Sequence, residues 1–179
     1  AELFGGGRSR DLGAELTRAV LSSCLSEAQL LSPLILLNAA LLRALSIRLG
    51  PQLLYFFLEA LVLAYDTALA KACSSESQQH QACCNATLFI AQLYNFHALH
   101  CSLVFDLVRS LVDQFGEAQL EMLSLLLRTV GAQLRVDDPS ALRDIILQVQ
   151  VKSRSTQVTQ GPRARVFVSM LLDLKNNKL

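Results

Sequence analysis

The stretch LHCSLVFDLVRSLVDQFG, residues 99–116, decides how the rest of the chain is read. Its polar residues Ser102, Asp106, Arg109 and Asp113 recur at spacings of four, three and four, and Leu103, Val104, Leu107, Val108, Leu111 and Val112 fall on the other side. A helix brings residues three and four apart onto one face, whereas a strand alternates every second residue. The spacing therefore predicts an amphipathic helix ending at Gly116.

The same period runs outward in both directions. Downstream, EAQLEMLSLLLRTVGAQL repeats it with Glu121, Ser124 and Arg128 as the polar stripe. Asp138-Pro139 supplies a cap and a pre-set first helical residue, Asp137 belonging to the same cap region, and Leu142, Ile145, Ile146 and Val149 form the next apolar stripe. After the break STQVTQGP, a last helix places Val166, Met170 and Leu174 on one side. Upstream, helices are expected at about 9–25, 33–49 and 51–73. Ser32-Pro33 opens one of them, and Gly50-Pro51 closes it and opens another, because Gly accepts a left-handed helix end and Pro fits a first turn. SSESQQHQ holds no apolar residue and is expected to be a solvent-exposed loop before a short helix from about 86 to 97. No comparable alternation suggests a sheet.

Eight helices in series, joined mostly by short turns, suit an all-α HEAT-like α-solenoid of antiparallel helix pairs, with a closed bundle as the alternative. At 179 residues the expectation is a single domain over residues 1–179. Both ends look cut, so one or both terminal faces are expected to lack a capping element and to expose apolar surface.

An apolar share of 52 % against 17 % charged residues excludes a disordered chain and predicts a well-filled core. A net charge of +1 gives no general attraction for nucleic acid, leaving only local patches to argue from. Ala28 to Leu42 carries no charge, but it contains Ser32, Pro33 and Asn38 and is followed by Arg43 and Arg48, so it is read as soluble core and no membrane is expected. Nor is a secretory leader recognised. Five cysteines, two of them adjacent, point to a reducing compartment. There, Asn85-Ala86-Thr87 is expected to be a helix cap in preference to a glycosylation acceptor.

Two clusters could carry chemistry: HQACC at 80–84 and LYNFHALHCSL at 93–103. A tetrahedral metal site takes four ligands in two close pairs. His80, Cys83, Cys84, His97, His100 and Cys101 offer enough donors but not a zinc spacing, and both residue types are common in helix cores and ends, so no metal is expected. His100 and Cys101 are neighbours, which in a helix point about 100° apart and make no ready dyad; Cys24 and Cys73 have no His nearby in sequence. The GGG at 5–7 lacks the lysine of a phosphate loop. No catalytic group and no cofactor are expected.

LFIAQLYNFHALHCSLVFDLVRSLV, LEMLSLLLRTVGAQLRVDDPSALRDIILQVQ and RARVFVSMLLDLKNNK resemble blocks of the middle domain of eukaryotic initiation factor 4G, in the form found in its nucleolar members. LYNFH, VGAQLRVDDPSALRD and DLKNNK are the specific parts, and LSIRLGPQLLYFFLEALV is a looser match; the resemblance runs from about Arg8 to Lys178 and implies a domain lacking the family's first and last helices. It implies a HEAT-repeat crescent without catalytic activity that binds a DEAD-box RNA helicase of the initiation factor 4A type. The implied setting is the nucleolus within the nucleus, in maturation of small-subunit ribosomal RNA, with pre-ribosomal RNA and particle proteins as further partners. His97 would then belong to a helix junction. The alternatives are a middle-domain scaffold of translation or splicing, and a zinc or thiol enzyme.

A scaffold that grips two helicase lobes would use exposed helix ends. Arg8, Arg10 and Asp11 at the start, and Arg163, Arg165, Asp173, Lys175 and Lys178 at the end, are the nominated helicase contacts, with solvated charge as the alternative. Lys152, Arg154, Arg163 and Arg165 form a small basic group that could meet RNA phosphate, without interleaved aromatics to stack on bases.

Overall fold

The computed structural model describes residues 7–72, 80–155 and 162–175. Among them are eight helices and no strand: α1 (Gly7–Cys24), α2 (Ser32–Leu49), α3 (Gln52–Ala72), α4 (His80–Asn95), α5 (Cys101–Gln114), α6 (Glu117–Asp137), α7 (Pro139–Ser155) and α8 (Pro162–Lys175). The all-α class of paired helices, expected for a HEAT-like solenoid, is thus the one found. Packing divides the helices into two compact units, α1–α4 up to Ala98 and α5–α8 from Leu99.

In the first unit α2 and α3 both pack on α4, and α1 lies against α3 and α2. Gly50 makes the α2–α3 turn at a φ of 103°, a left-handed value that suits a residue without Cβ, and its N–H closes α2 on Ser46 O. Phe57 of α3 and Phe89 of α4 meet with ring centroids 5.1 Å apart, and Ile35, Ala39 and Leu42 seat α2. α4 is buried continuously from Ala82 to Ala91.

Buried within that run is a side chain whose role the sequence hid. α4 begins at His80, so Asn85 stands in the helix interior, fully buried, and is neither a cap nor an accessible glycosylation acceptor. Its Oδ1 accepts the N–H of Leu31 at 3.0 Å, and its Nδ2 donates to the carbonyls of Ser26 and Gln29, each at 2.9 Å. The turns between α1 and α2 have no ladder of their own for these groups. A carboxamide supplies both the acceptor and the donors they need.

The uncharged run in α2 is not simply core. Ile35, Ala39, Leu42 and Ser46 are buried, while Leu36, Leu37 and Leu41 are exposed and Ile47 is 67 % exposed. One helix stripe buries only a minority of the apolar residues this sequence supplies. Ser32–Leu49 and Gln52–Ala70 are also long and apolar enough to cross a membrane by length and composition alone, a test that helices of a folded domain pass as well.

In the second unit α6 packs against α5, α7 and α8. Gly131 permits the close approach of α8, since a Cβ there would lie 2.9 Å from Leu174 Cδ1. Leu142, Ile145, Ile146 and Val149 are all buried, and Asp138 Oδ1 accepts the N–H of Ala141 at 2.9 Å, the cap expected ahead of Pro139. Two stripes differ from expectation. In α8 the buried set is Phe167, Met170, Leu171 and Leu174, with Val166 54 % exposed, because the larger ring takes the inward position one residue on. In α5 Phe105 is buried and Leu103 is not. The end of α5 also differs: Phe115 takes the left-handed cap at φ 43°, holding its ring in the core at 4 % exposure, and Gly116 becomes the N-cap of α6.

Replacing Asn85 with Leu should leave one N–H and two carbonyls unsatisfied and lower stability by about 2–4 kcal/mol, read by urea denaturation; an unchanged midpoint would remove Asn85 from this role. Burial raises the Tyr65 phenol well above its ordinary 10.0, aided by the charges of Cys83, Asp66 and Cys84 and opposed by the Thr87 hydrogen bond. Burial likewise raises the Cys24 thiol above 9.0, against hydrogen bonds from Ser23 and Asn38. An acid whose folded value is raised binds more protons folded than unfolded once pH passes the unfolded value. Its stabilisation is complete below that value and is lost as pH rises toward the folded one. Denaturation midpoints should therefore fall from about pH 9 upward, and the Tyr65→Phe and Cys24→Ala changes together should flatten that fall.

Candidate partner-binding surface

The histidines and cysteines of the two clusters have local structural posts. His97 stands just past α4 at φ 53°; its N–H reaches Tyr94 O at 2.8 Å and that of Ala98 reaches Leu93 O at 2.9 Å. These two bonds are a Schellman helix end, with histidine where glycine usually stands. The expected junction role of His97 is therefore a concrete one. His100 is the N-cap of α5, its Nδ1 accepting the N–H of Ser102 at 3.2 Å and lying 3.0 Å from Ser102 Oγ. Because His100 is extended and outside the helix, the 100° separation assumed for it and Cys101 does not apply. Cys101 Sγ lies 3.7 Å from His100 Nδ1, which already serves the helix end.

On α4, His80 Nε2 lies 3.4 Å from Cys84 Sγ one turn away, and Cys83 is fully buried beside it. Cys24 is buried as well, whereas Cys101 is half-buried. A thiol shielded from solvent is a poor nucleophile toward anything arriving from outside. Alkylation mapped by mass spectrometry should thus label Cys101 well ahead of Cys24, Cys83 and Cys84 in the folded protein.

Seven of the eight nominated helicase contacts lie on two helices. Arg8, Arg10 and Asp11 fall on the first turns of α1, and their side chains lie outside the described residues. On α8, Arg163 falls in the first turn and Lys175 closes the helix, again without described side chains, and Lys178 lies outside the described residues. Arg165 is exposed and Asp173 is half-buried. Of the nominated basic group, Arg154 has no described side chain. Lys152 is engaged: its Nζ donates to Val112 O at 3.0 Å, to Asp113 O at 2.9 Å and to Asp113 Oδ1 at 3.0 Å. It closes the negative end of α5 from α7, so a phosphate would have to compete with three oxygens.

Sequence reasoning passed over a second kind of surface. Leu37 at 66 %, Ile47, Tyr55 at 65 % and Leu63 stand exposed on α2 and α3. Their signal was an apolar run richer than one buried stripe can absorb. Where such exposed apolar positions are contiguous they mark protein or membrane interaction sites.

The fold defines a class, an all-α protein built of paired helices. The chain belongs to the MIF4G domain family, whose pattern matches residues 9–178. It is 32 % identical over 180 aligned residues, 99 % of the chain, to the human Nucleolar MIF4G domain-containing protein 1. It is 31 % identical over 92 % of the chain to the Saccharomyces cerevisiae Suppressor of glycerol defect protein 1, and 26 % identical over 99 % of the chain to the Drosophila melanogaster Nucleolar MIF4G domain-containing protein 1 homolog. It spans about one fifth of the length of these relatives.

A histidine in the left-handed region is strained relative to glycine. His97→Gly should raise stability by about 0.5–1 kcal/mol, because the relief of backbone strain exceeds the added entropy of the unfolded chain. A thermal midpoint raised by a few degrees would bear this out, and a lowered one would show that the imidazole is itself held in place.

Proposed function

We propose that this chain is a non-catalytic scaffold that binds and regulates a DEAD-box RNA helicase of the initiation factor 4A type, in nucleolar maturation of small-subunit ribosomal RNA. The observation that carries the proposal is the family match across nearly the whole chain, joined by relatives whose names place them in the nucleolus. The exposed apolar helices and the engagement of His100 and Lys152 in helix ends support a protein that works through its surface.

A two-lobed helicase cycles between open and closed arrangements, and a scaffold alters that equilibrium only by the difference between its affinities for the two. Contacts at the start of α1 and along α8 would supply that difference, with Arg165 exposed for such a contact. Pre-ribosomal RNA and particle proteins are further partners, with Arg154, Arg163 and Arg165 the nominated basic residues left for phosphate once Lys152 is committed.

The test is a titration of purified initiation-factor-4A-type helicases, the exon-junction type included, with binding and ATPase rate followed together. Saturable binding with an altered rate is expected, weakened about tenfold or more by reversing Arg163 and Arg165 to Glu. Absence of binding to every such helicase, by protein shown to be folded, would overturn the proposal.

A further inference from the structure

Within the second unit, the C-terminal end of α6, the first turns of α7 and the end of α8 enclose a cleft of about 340 Å³. Its floor is apolar, formed by Leu142, Ile146 and the fully buried Leu174. Arg135, Arg143 and Leu147 form its rim, and Leu147 is 48 % exposed. Among the described residues, the two charged side chains lining it are both arginines, and no carboxylate lines it.

We propose that this cleft is a docking site for a short linear segment of a partner protein, one that carries a bulky apolar side chain next to carboxylates. The volume sits at the low end of ligand pockets, which run from about 300 to 1,000 Å³, so it takes one large side chain better than an extended cofactor. The apolar floor gives that side chain a reason to leave water. The charge of the rim then selects what flanks it. Arg143 is exposed, makes no ion pair among the described residues, and offers a planar pair of donors that fits a carboxylate. Asp144, the nearest acid in sequence, is the adjacent residue on the helix and points about 100° away from it. Arg135, half-buried, adds a second positive charge on the α6 side. RNA is a poorer fit, since no aromatic ring among the described residues lines the cleft for a base to stack on. This proposal stands on the cleft itself and holds whichever partner the rest of the domain takes.

A random heptapeptide library displayed on phage, selected in parallel on the protein and on an Arg143→Glu variant, tests it directly. Arg143 lies on the surface, so the variant should fold, as circular dichroism would verify. Enriched peptides should join a Leu- or Phe-class residue to Asp or Glu within a position or two. Synthetic copies should bind saturably, about tenfold or more weaker to Arg143→Glu, and Leu147→Glu should weaken them as well. Four outcomes would overturn the proposal: no enrichment, enriched peptides without carboxylates, affinity unchanged by Arg143→Glu, or a dimer in sedimentation that disperses in that variant and so makes a second copy the occupant.

Discussion

One buried carboxamide sets the form of the first unit. The turns after α1 must carry the chain onto α2, and they present backbone groups that no helix satisfies. Asn85 answers three of them from the interior of α4. Because α4 is also the helix on which α2 and α3 pack, the same residue fixes the entry to α2 and the layer built over it. A polar residue buried with every partner in place specifies a register more sharply than an apolar one of equal volume could.

That economy recurs wherever a reactive or charged group stands near a helix end. His100 caps α5, His97 closes α4 and Lys152 closes α5. Surface features stand beside these helix ends: apolar positions on α2 and α3, exposed charge on α8, and a cleft rimmed by arginine.

Much of this was legible in the residues because a helical period writes itself into composition. The stripes of α7, the Asp138-Pro139 cap and the Gly50 turn followed directly from spacing and backbone chemistry. Local rules failed where tertiary packing competed with them. Asn85 reads as a cap before a helix from about 86, yet α4 runs from His80 with Asn85 inside it, and the partners of Asn85, 54 to 59 residues away, are invisible to a window. Phe115 took a left-handed cap that backbone preference assigns to Gly116, because burying an aromatic ring outweighs the strain. Val166 yielded the core to Phe167 for a related reason of size. The nominated contacts were the least legible, as charge at a helix end looks alike whether it meets a partner or water.

The central claim is that this MIF4G chain works by binding a two-lobed helicase through its helix ends. Hydrogen–deuterium exchange of the chain, with and without an initiation-factor-4A-type helicase held closed by a non-hydrolysable ATP analogue, tests it most directly. The account predicts protection confined to the start of α1 and to α8, with α4 unchanged. Protection absent throughout, or confined to helices away from both ends, would contradict it.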